Sequence, residues 1–252
     1  KSAVVANLAV AFAITDYRVG VLDADLSGAS IAHMLGVQGS TLQLHGDLVQ
    51  PVTNALGIKV ISIDSLVADN STPVCWRGPE GSEFVWRGAA ERSALRELLS
   101  DVQWGQLDIL FFDLPAGTFQ LPNLAQLVPD LDGVILVTIP SQISNIVVRR
   151  TAAFVKKHQV PLIGLVQNMG TCLCQKCGHE MNLFESHEPL KLAEDLDIPL
   201  LGKIPFDPKI SQYLDQGYPF MLQNITTPTA RAFLKIAEKI EKYFFHSHEI
   251  SL

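Results

Sequence analysis

Leu107-Asp-Ile-Leu-Phe-Phe-Asp113 is a short, almost wholly apolar run closed by a carboxylate, and it continues into Leu114-Pro-Ala-Gly117. Apolar residues at nearly every position suit a parallel strand covered on both faces. The same form recurs along the chain. Arg18-Val-Gly-Val-Leu-Asp23 and Gly57-Ile-Lys-Val-Ile-Ser-Ile63 precede it. Gly133-Val-Ile-Leu-Val-Thr138, Pro161-Leu-Ile-Gly-Leu-Val-Gln167 and the shorter Leu200-Leu-Gly-Lys-Ile204 follow. Helical stretches separate them at Glu91 to Leu99, Asn145 to His158, Glu188 to Asp195 and Thr229 to Tyr243. Strand–helix alternation predicts an α/β fold: a mostly parallel, twisted sheet with helices on both faces and ligands beyond the carboxyl ends of the strands.

Composition narrows the function classes. Of 252 residues, 48% are hydrophobic and only 18% charged, so the bulk of the chain is not intrinsically disordered. Nineteen Lys plus Arg against 26 Asp plus Glu give a net charge of −7, which argues against nucleic acid as a partner. No apolar run reaches the ~18 residues of a membrane span. Four cysteines are too few for a disulfide scaffold, and Cys172, Cys174 and Cys177 cluster as metal or redox ligands do in a reducing compartment. A cytoplasmic protein is therefore expected. Ala3 to Ile14 has the outline of a signal peptide, but Val4, Val5, Leu8 and Phe12 are spaced as on a buried helix face. Asp64 to Gly88, where Trp76-Arg-Gly78 is echoed by Trp86-Arg-Gly88, reads as a loop or short insertion. No linker is evident, so one domain over residues 1–252 is expected.

Three places carry chemistry. Lys1-Ser2 opens a helix ahead of a strand ending in Asp23-Ala-Asp25. In a P-loop, backbone N–H groups at a helix start cradle phosphates, Lys neutralises them, and Ser or Thr ligates Mg²⁺. Asp113 ends its strand where a Walker-B carboxylate holds Mg²⁺ through water, or else simply caps a turn. Gly117 can bring its N–H to a γ-phosphate. Asp23 and Asp25 are a second carboxylate pair, one of which could position an attacking water. Cys174-Gln-Lys-Cys177-Gly178 lets two thiolates grip one metal. A closed zinc site or a [4Fe–4S] cluster needs four ligands, so a symmetric dimer is the simplest completion. A redox dithiol is the rival reading, disfavoured because the pair follows Met169 in loop-like sequence. Cys172 is a possible third ligand, His179 a possible zinc ligand, and Cys75 an ordinary thiol.

Val21-Leu-Asp-Ala-Asp-Leu-Ser-Gly-Ala-Ser-Ile-Ala-His-Met-Leu-Gly36 resembles the switch-I stretch of the Mrp/ApbC ATPases, relatives of MinD, ParA and the nitrogenase iron protein. Further likenesses are Val85-Trp-Arg-Gly88, Asp101-Val-Gln-Trp-Gly105, Asp113-Leu-Pro-Ala-Gly-Thr118, Gln167-Asn-Met169, Cys174-Gln-Lys-Cys177 and Gly202-Lys-Ile-Pro-Phe-Asp207. The resemblance runs almost end to end. It implies a MinD-like P-loop NTPase fold in which Lys1 and Ser2 close a deviant Walker A. The preceding strand and Gly-rich loop are then expected upstream of residue 1. Asp25 matches the water-orienting aspartate, Asp113 the Walker-B position (with Ser2, the magnesium ligands), and Gly117 the switch-II glycine. Asn168, Pro205 and Asp207 fall where the family holds adenine. The catalytic set so implied is Lys1, Asp25 and Asp113.

The chain departs from the family pattern in three respects. It lacks the Gly-rich loop with its signature lysine. Switch II has Ala116 and Phe119-Gln120 where the family has a second Pro and Gly-Asp. Trp76 to Gly81 looks inserted. The resemblance implies a slow ATPase and homodimer that assembles a [4Fe–4S] cluster on Cys174 and Cys177 and passes it to acceptor proteins. Zinc could replace the cluster on isolation. Neither nucleic acid nor membrane is an expected partner. The C-terminal helix, with Phe233, Ile236, Ala237, Ile240 and Phe244 on one side, is expected to pack on its own sheet. A MinD/ParA-like positioning ATPase and a zinc-stabilised scaffold are the alternatives.

Overall fold

The computed structural model describes all residues except 26–27, 41, 47, 67–82, 116, 118–119, 174–175, 178, 185–188 and 250–252. In chain order the elements are α1 (Ser2–Ala13), β1 (Val19–Asp23), α2 (Ile31–Met34), β2 (Gln43–His45), β3 (Leu48–Gln50), β4 (Val52–Thr53) and β5 (Lys59–Ile61). There follow α3 (Glu83–Ser100), β6 (Ile109–Asp113), α4 (Leu121–Leu127), β7 (Val134–Thr138), α5 (Gln142–Lys157) and β8 (Leu162–Leu173). Last come β9 (Glu180–Asn182), α6 (Pro189–Leu196), β10 (Leu200–Phe206), α7 (Pro208–Asp215), α8 (Phe220–Asn224) and α9 (Pro228–Glu249). The chain divides into two compact units, Lys1–Ala116 with Tyr213–Pro219, and Gly117–Gln212 with Phe220–Leu252.

The first unit is built on a four-stranded sheet in the order β4-β5-β1-β6. β1 pairs in parallel with both β5 and β6, and every residue of β1 is buried. β6 ends this sheet and is only half-buried along Ile109–Phe112, although its sequence reads as covered on both faces. β4 runs antiparallel to β5, and β2–β3 form a separate hairpin. Alanines at positions 3, 6, 9, 11 and 13 favour the helical α1. It is apolar all round, and Val4, Leu8, Val10 and Phe12 are buried with it. Such a helix belongs in a core, as the sequence spacing predicts. A tight crossing closes this unit. Gly36 has φ +72°, and a Cβ there would lie 2.3 Å from the Gly217 carbonyl oxygen.

The second unit carries the parallel order β10-β8-β7. Leu136 and Leu165 of the sheet pack with Val148 and Ala152 of α5 and with Leu192, Ala193 and Leu196 of α6. α9 lies on β10. Its Phe233, Ile236, Ala237 and Ile240 are buried, and Ile236 sits where a Cβ on Gly202 would fall 2.6 Å from it. Lys239 Nζ donates to the Leu200 carbonyl at 3.0 Å. The terminal helix therefore packs on its own sheet, as its sequence pattern predicts.

Two sequence expectations need correction. Asp64 to Gly88 is not loop throughout, because α3 begins at Glu83. Residues 83–100 are rich in strong helix formers (Glu, Ala, Arg, Leu), and the Trp-Arg-Gly echo obscured that run. The stretch after Met169 is not loop-like either, because β8 continues to Leu173. Its last residues find a partner in β9, with Thr171 opposite Asn182 and Cys172 opposite Met181. β9 is exposed at every position, so it carries no apolar alternation for sequence reading to detect. Trp76 to Gly81 and Cys75 lie outside the described residues. Among the described residues no helix is long and apolar enough to cross a membrane.

Candidate functional site

In the first unit the parallel register sets Asp23 directly opposite Asp113 at the carboxyl ends of β1 and β6. The Ala24 amide donates to the Asp113 carbonyl at 2.9 Å and continues that pairing past the strand end. α1 starts at the same edge. Ser2 hydrogen-bonds the Asp113 carboxylate, and Lys1 Nζ donates to the carbonyl of the next residue, Leu114, at 2.8 Å. Asp113 is 2% exposed, and its Oδ2 has no hydrogen-bond partner among the described residues. Burial raises the Asp113 pKa, and the Ser2 hydrogen bond and the Lys1 charge oppose that shift. Lys1 shifts downward, chiefly because its ammonium is partly desolvated, while Asp113 and Asp25 pull it back up. Asp25 is half-buried and accepts the Gly28 N–H on Oδ1 at 3.2 Å. Lys1, Ser2, Asp25 and Asp113 are thus brought together.

Asp23 sits among them in a role that the sequence left open. Its carboxylate is completely buried and accepts three backbone N–H groups, from Asp25, Ser30 and Ile31, plus the Ser62 hydroxyl. A strand-terminal Asp gives no local signal for partners seven, eight and 39 residues away. Desolvation lifts its pKa to about 6, against the pull of the Ile31 and Ser30 amides.

The orphaned Asp113 Oδ2 is what a cation site at a strand end leaves when described without its ion. With the Ser2 hydroxyl beside the same carboxylate, this donor set is all oxygen, and Mg²⁺ prefers oxygen ligands. The residues present therefore fit Mg²⁺.

The second unit holds the other sequence-predicted residues. Asn168 pairs with Ile204 across β8 and β10, so Asn168 lies level with the residue before Pro205, near the end of β10. Asn168 and Pro205 are half-buried, as is Asp207. Asp207 Oδ1 accepts the Lys209 N–H at 3.0 Å, capping the start of α7. Gly117 is exposed with φ +100°, a conformation that favours glycine. Cys172 is half-buried on β8, between Met181 of β9 and Phe206 of β10 in register. Cys177 and His179 are exposed, and Cys174 lies outside the described residues. Exposed apolar side chains mark this region, namely Met169, Met181, Leu183, Phe184 and Phe206. They follow no helical or strand period that would mark them in the sequence.

The family model of the NUBPL iron-transfer P-loop NTPases, within the ParA group, matches residues 1–85 and 79–241. The chain belongs to this family. An iron–sulfur cluster carrier protein of Saccharolobus solfataricus is 40% identical over 243 residues, which is 96% of this chain and 79% of that protein. Among solved structures, a nucleotide-binding protein of Archaeoglobus fulgidus in complex with ADP is similar with a TM-score of 0.74 and 29% identity. That match covers 92% of this chain and 86% of the other. The cell division ATPase MinD of Pyrococcus furiosus matches with a TM-score of 0.64 at 22% identity, over 96% and 92% of the two chains, and shows the shared fold. The NUBPL family model spans residues of both compact units. The resemblance read from the sequence is borne out at the level of the iron-transfer P-loop NTPase family, and with it the P-loop α/β fold.

Proposed function

We propose that this chain is an ATP-dependent iron–sulfur cluster carrier working as a homodimer. One observation carries the reading: a member of an iron-transfer family has Lys1 and Ser2 gathered beside the buried carboxylate of Asp113, in the same chain as a Cys-x-x-Cys segment. Lys1 gives up the Leu114 carbonyl and neutralises phosphate charge instead. The first amides of α1 point at the same anion. Ser2 and Asp113 hold Mg²⁺, which neutralises charge shared between phosphates when bound. Asp25 orients the attacking water, and Gly117 offers its N–H to the γ-phosphate. Asn168 and Asp207 read the purine edge while Pro205 packs on its face. Asp207 caps α7 through Oδ1, and its Oδ2 would serve for one such contact. Residues 1–252 serve as one ATPase domain.

The cargo is a [4Fe–4S] cluster, held by Cys174 and Cys177 of each of two copies and released to acceptor proteins. The exposed apolar residues around the cysteine segment support a surface that partners cover. Anaerobic reconstitution, iron assay and an absorption spectrum test this. About four iron atoms per two chains are expected, the iron count of a [4Fe–4S] centre. A Cys174→Ser/Cys177→Ser variant that still binds that iron refutes the site. Zinc in place of iron after anaerobic reconstitution favours the scaffold reading.

A further inference from the structure

Asp25 lies just past the end of β1. Among the described residues, Ala24 is held by the Asp113 carbonyl, and Gly28 folds back on the Asp25 carbonyl and carboxylate. The remaining anchor is Asp23. Its Oδ1 accepts the Asp25 N–H at 3.2 Å. Its Oδ2 accepts Ser30 and Ile31 N–H at 2.9 and 3.0 Å and the Ser62 hydroxyl at 3.3 Å. One buried carboxylate therefore ties the end of β1 to both sides of the Asp25 turn and to the residue after β5. Ser30, at the start of α2, makes no side-chain cap of its own, so Asp23 also satisfies the amides there. A carboxylate that is completely buried and accepts three of its four hydrogen bonds from residues 25–31 is an expensive way to hold a loop. It makes sense where the position of that loop matters to chemistry.

We propose that Asp23 is a positioning residue for hydrolysis, fixing the Asp25 carboxylate relative to Asp113. This rests on the reading of Asp25 as the water-orienting group. Asp23→Asn tests it with little change of shape. The new amide keeps one acceptor for Ser30 and Ile31, but presents a donor to the Asp25 N–H. The Asp25 anchor is the one lost.

The experiment is steady-state MgATP hydrolysis by the full-length protein and its Asp23→Asn, Asp25→Asn, double and Ser62→Ala variants. A misplacement of about 1 Å can cost about 10²-fold in rate, so Asp23→Asn should lower kcat to that extent. KM for ATP should stay within about threefold, since ground-state binding is not the target. The double variant should be no slower than Asp25→Asn alone, because Asp23 acts through Asp25. Ser62→Ala, which removes one of four donors, should lower kcat by a few-fold. It serves as the test if Asp23→Asn does not fold, and wild-type kcat in Ser62→Ala then overturns the proposal. Wild-type kcat in a folded Asp23→Asn variant overturns it too, as does a double variant slowed by the full product of both single effects. Wild-type kcat in Asp25→Asn overturns the water-orienting reading itself, and the proposal with it.

Discussion

Replacing Asp23 by Asn should change how stability responds to pH, and the size of the effect follows from where the carboxylate lies. Asp23 is fully buried, and burial raises its pKa from 3.8 to about 6 in the folded protein. Below 3.8 the group is protonated both folded and unfolded, so it adds no pH dependence. Between the two values the folded state keeps a proton that the unfolded state has lost. Raising the pH through that window favours the ionised unfolded state over the still protonated folded one, so stability falls. The window is about two units wide at about 1.4 kcal/mol per unit, so the wild type loses roughly 3 kcal/mol to this group. Asparagine cannot ionise, and the variant escapes that loss. Its own penalty, a donor facing the Asp25 N–H, is about 1–3 kcal/mol and does not vary with pH. Urea unfolding of both proteins, followed by circular dichroism from about pH 4 to about pH 7, measures the difference, provided that m stays the same. The difference should move in favour of the variant by roughly 3 kcal/mol as pH rises. A difference that stays flat across that range refutes the assignment of Asp23 as a buried, ionising carboxylate.

Three further outcomes follow from the structure. Asp113→Ala should abolish Mg²⁺-dependent ATP hydrolysis while the far-UV spectrum keeps its α/β shape; retained turnover would remove Asp113 from the metal site. Gly36→Ala should cost more than about 2 kcal/mol in urea unfolding, because it combines left-handed backbone strain with a clash against the Gly217 carbonyl. Gly202→Ala presses a methyl onto Ile236, and a loss of about 1–3 kcal/mol is expected; a neutral effect would mean that α9 is free to shift on β10.

The sequence exposes what is periodic and local. Strands centred on Leu22, Phe111, Leu136 and Leu165 announce themselves because a covered strand needs apolar residues in succession. The same residues place Asp113 at a strand end, and the Lys1-Ser2 pair acquires meaning only from a helix start at that level. Long-range geometry is not legible. Nothing near Asp23 in the chain says that Ile31 and Ser62 will converge on it. Nothing in Glu180–Asn182 says that an exposed three-residue strand will extend β8 past Met169. The start of α3 is hidden because Trp86 and Gly88 break the look of a helix whose remaining residues favour it.

The way β8 passes Met169 also constrains how this family can change over time. Asn168 pairs with Ile204 and Cys172 with Phe206, so four residues of β8 run beside two of β10, and Met169 stands between them at φ +57°. The extra length is taken up where the backbone already leaves the regular pleat. Side chains alternate along the regular stretches on either side, so a residue gained or lost within one of those would turn the later positions to the opposite face. A change of length is better absorbed at the irregular step itself, where the two strands already disagree in their count.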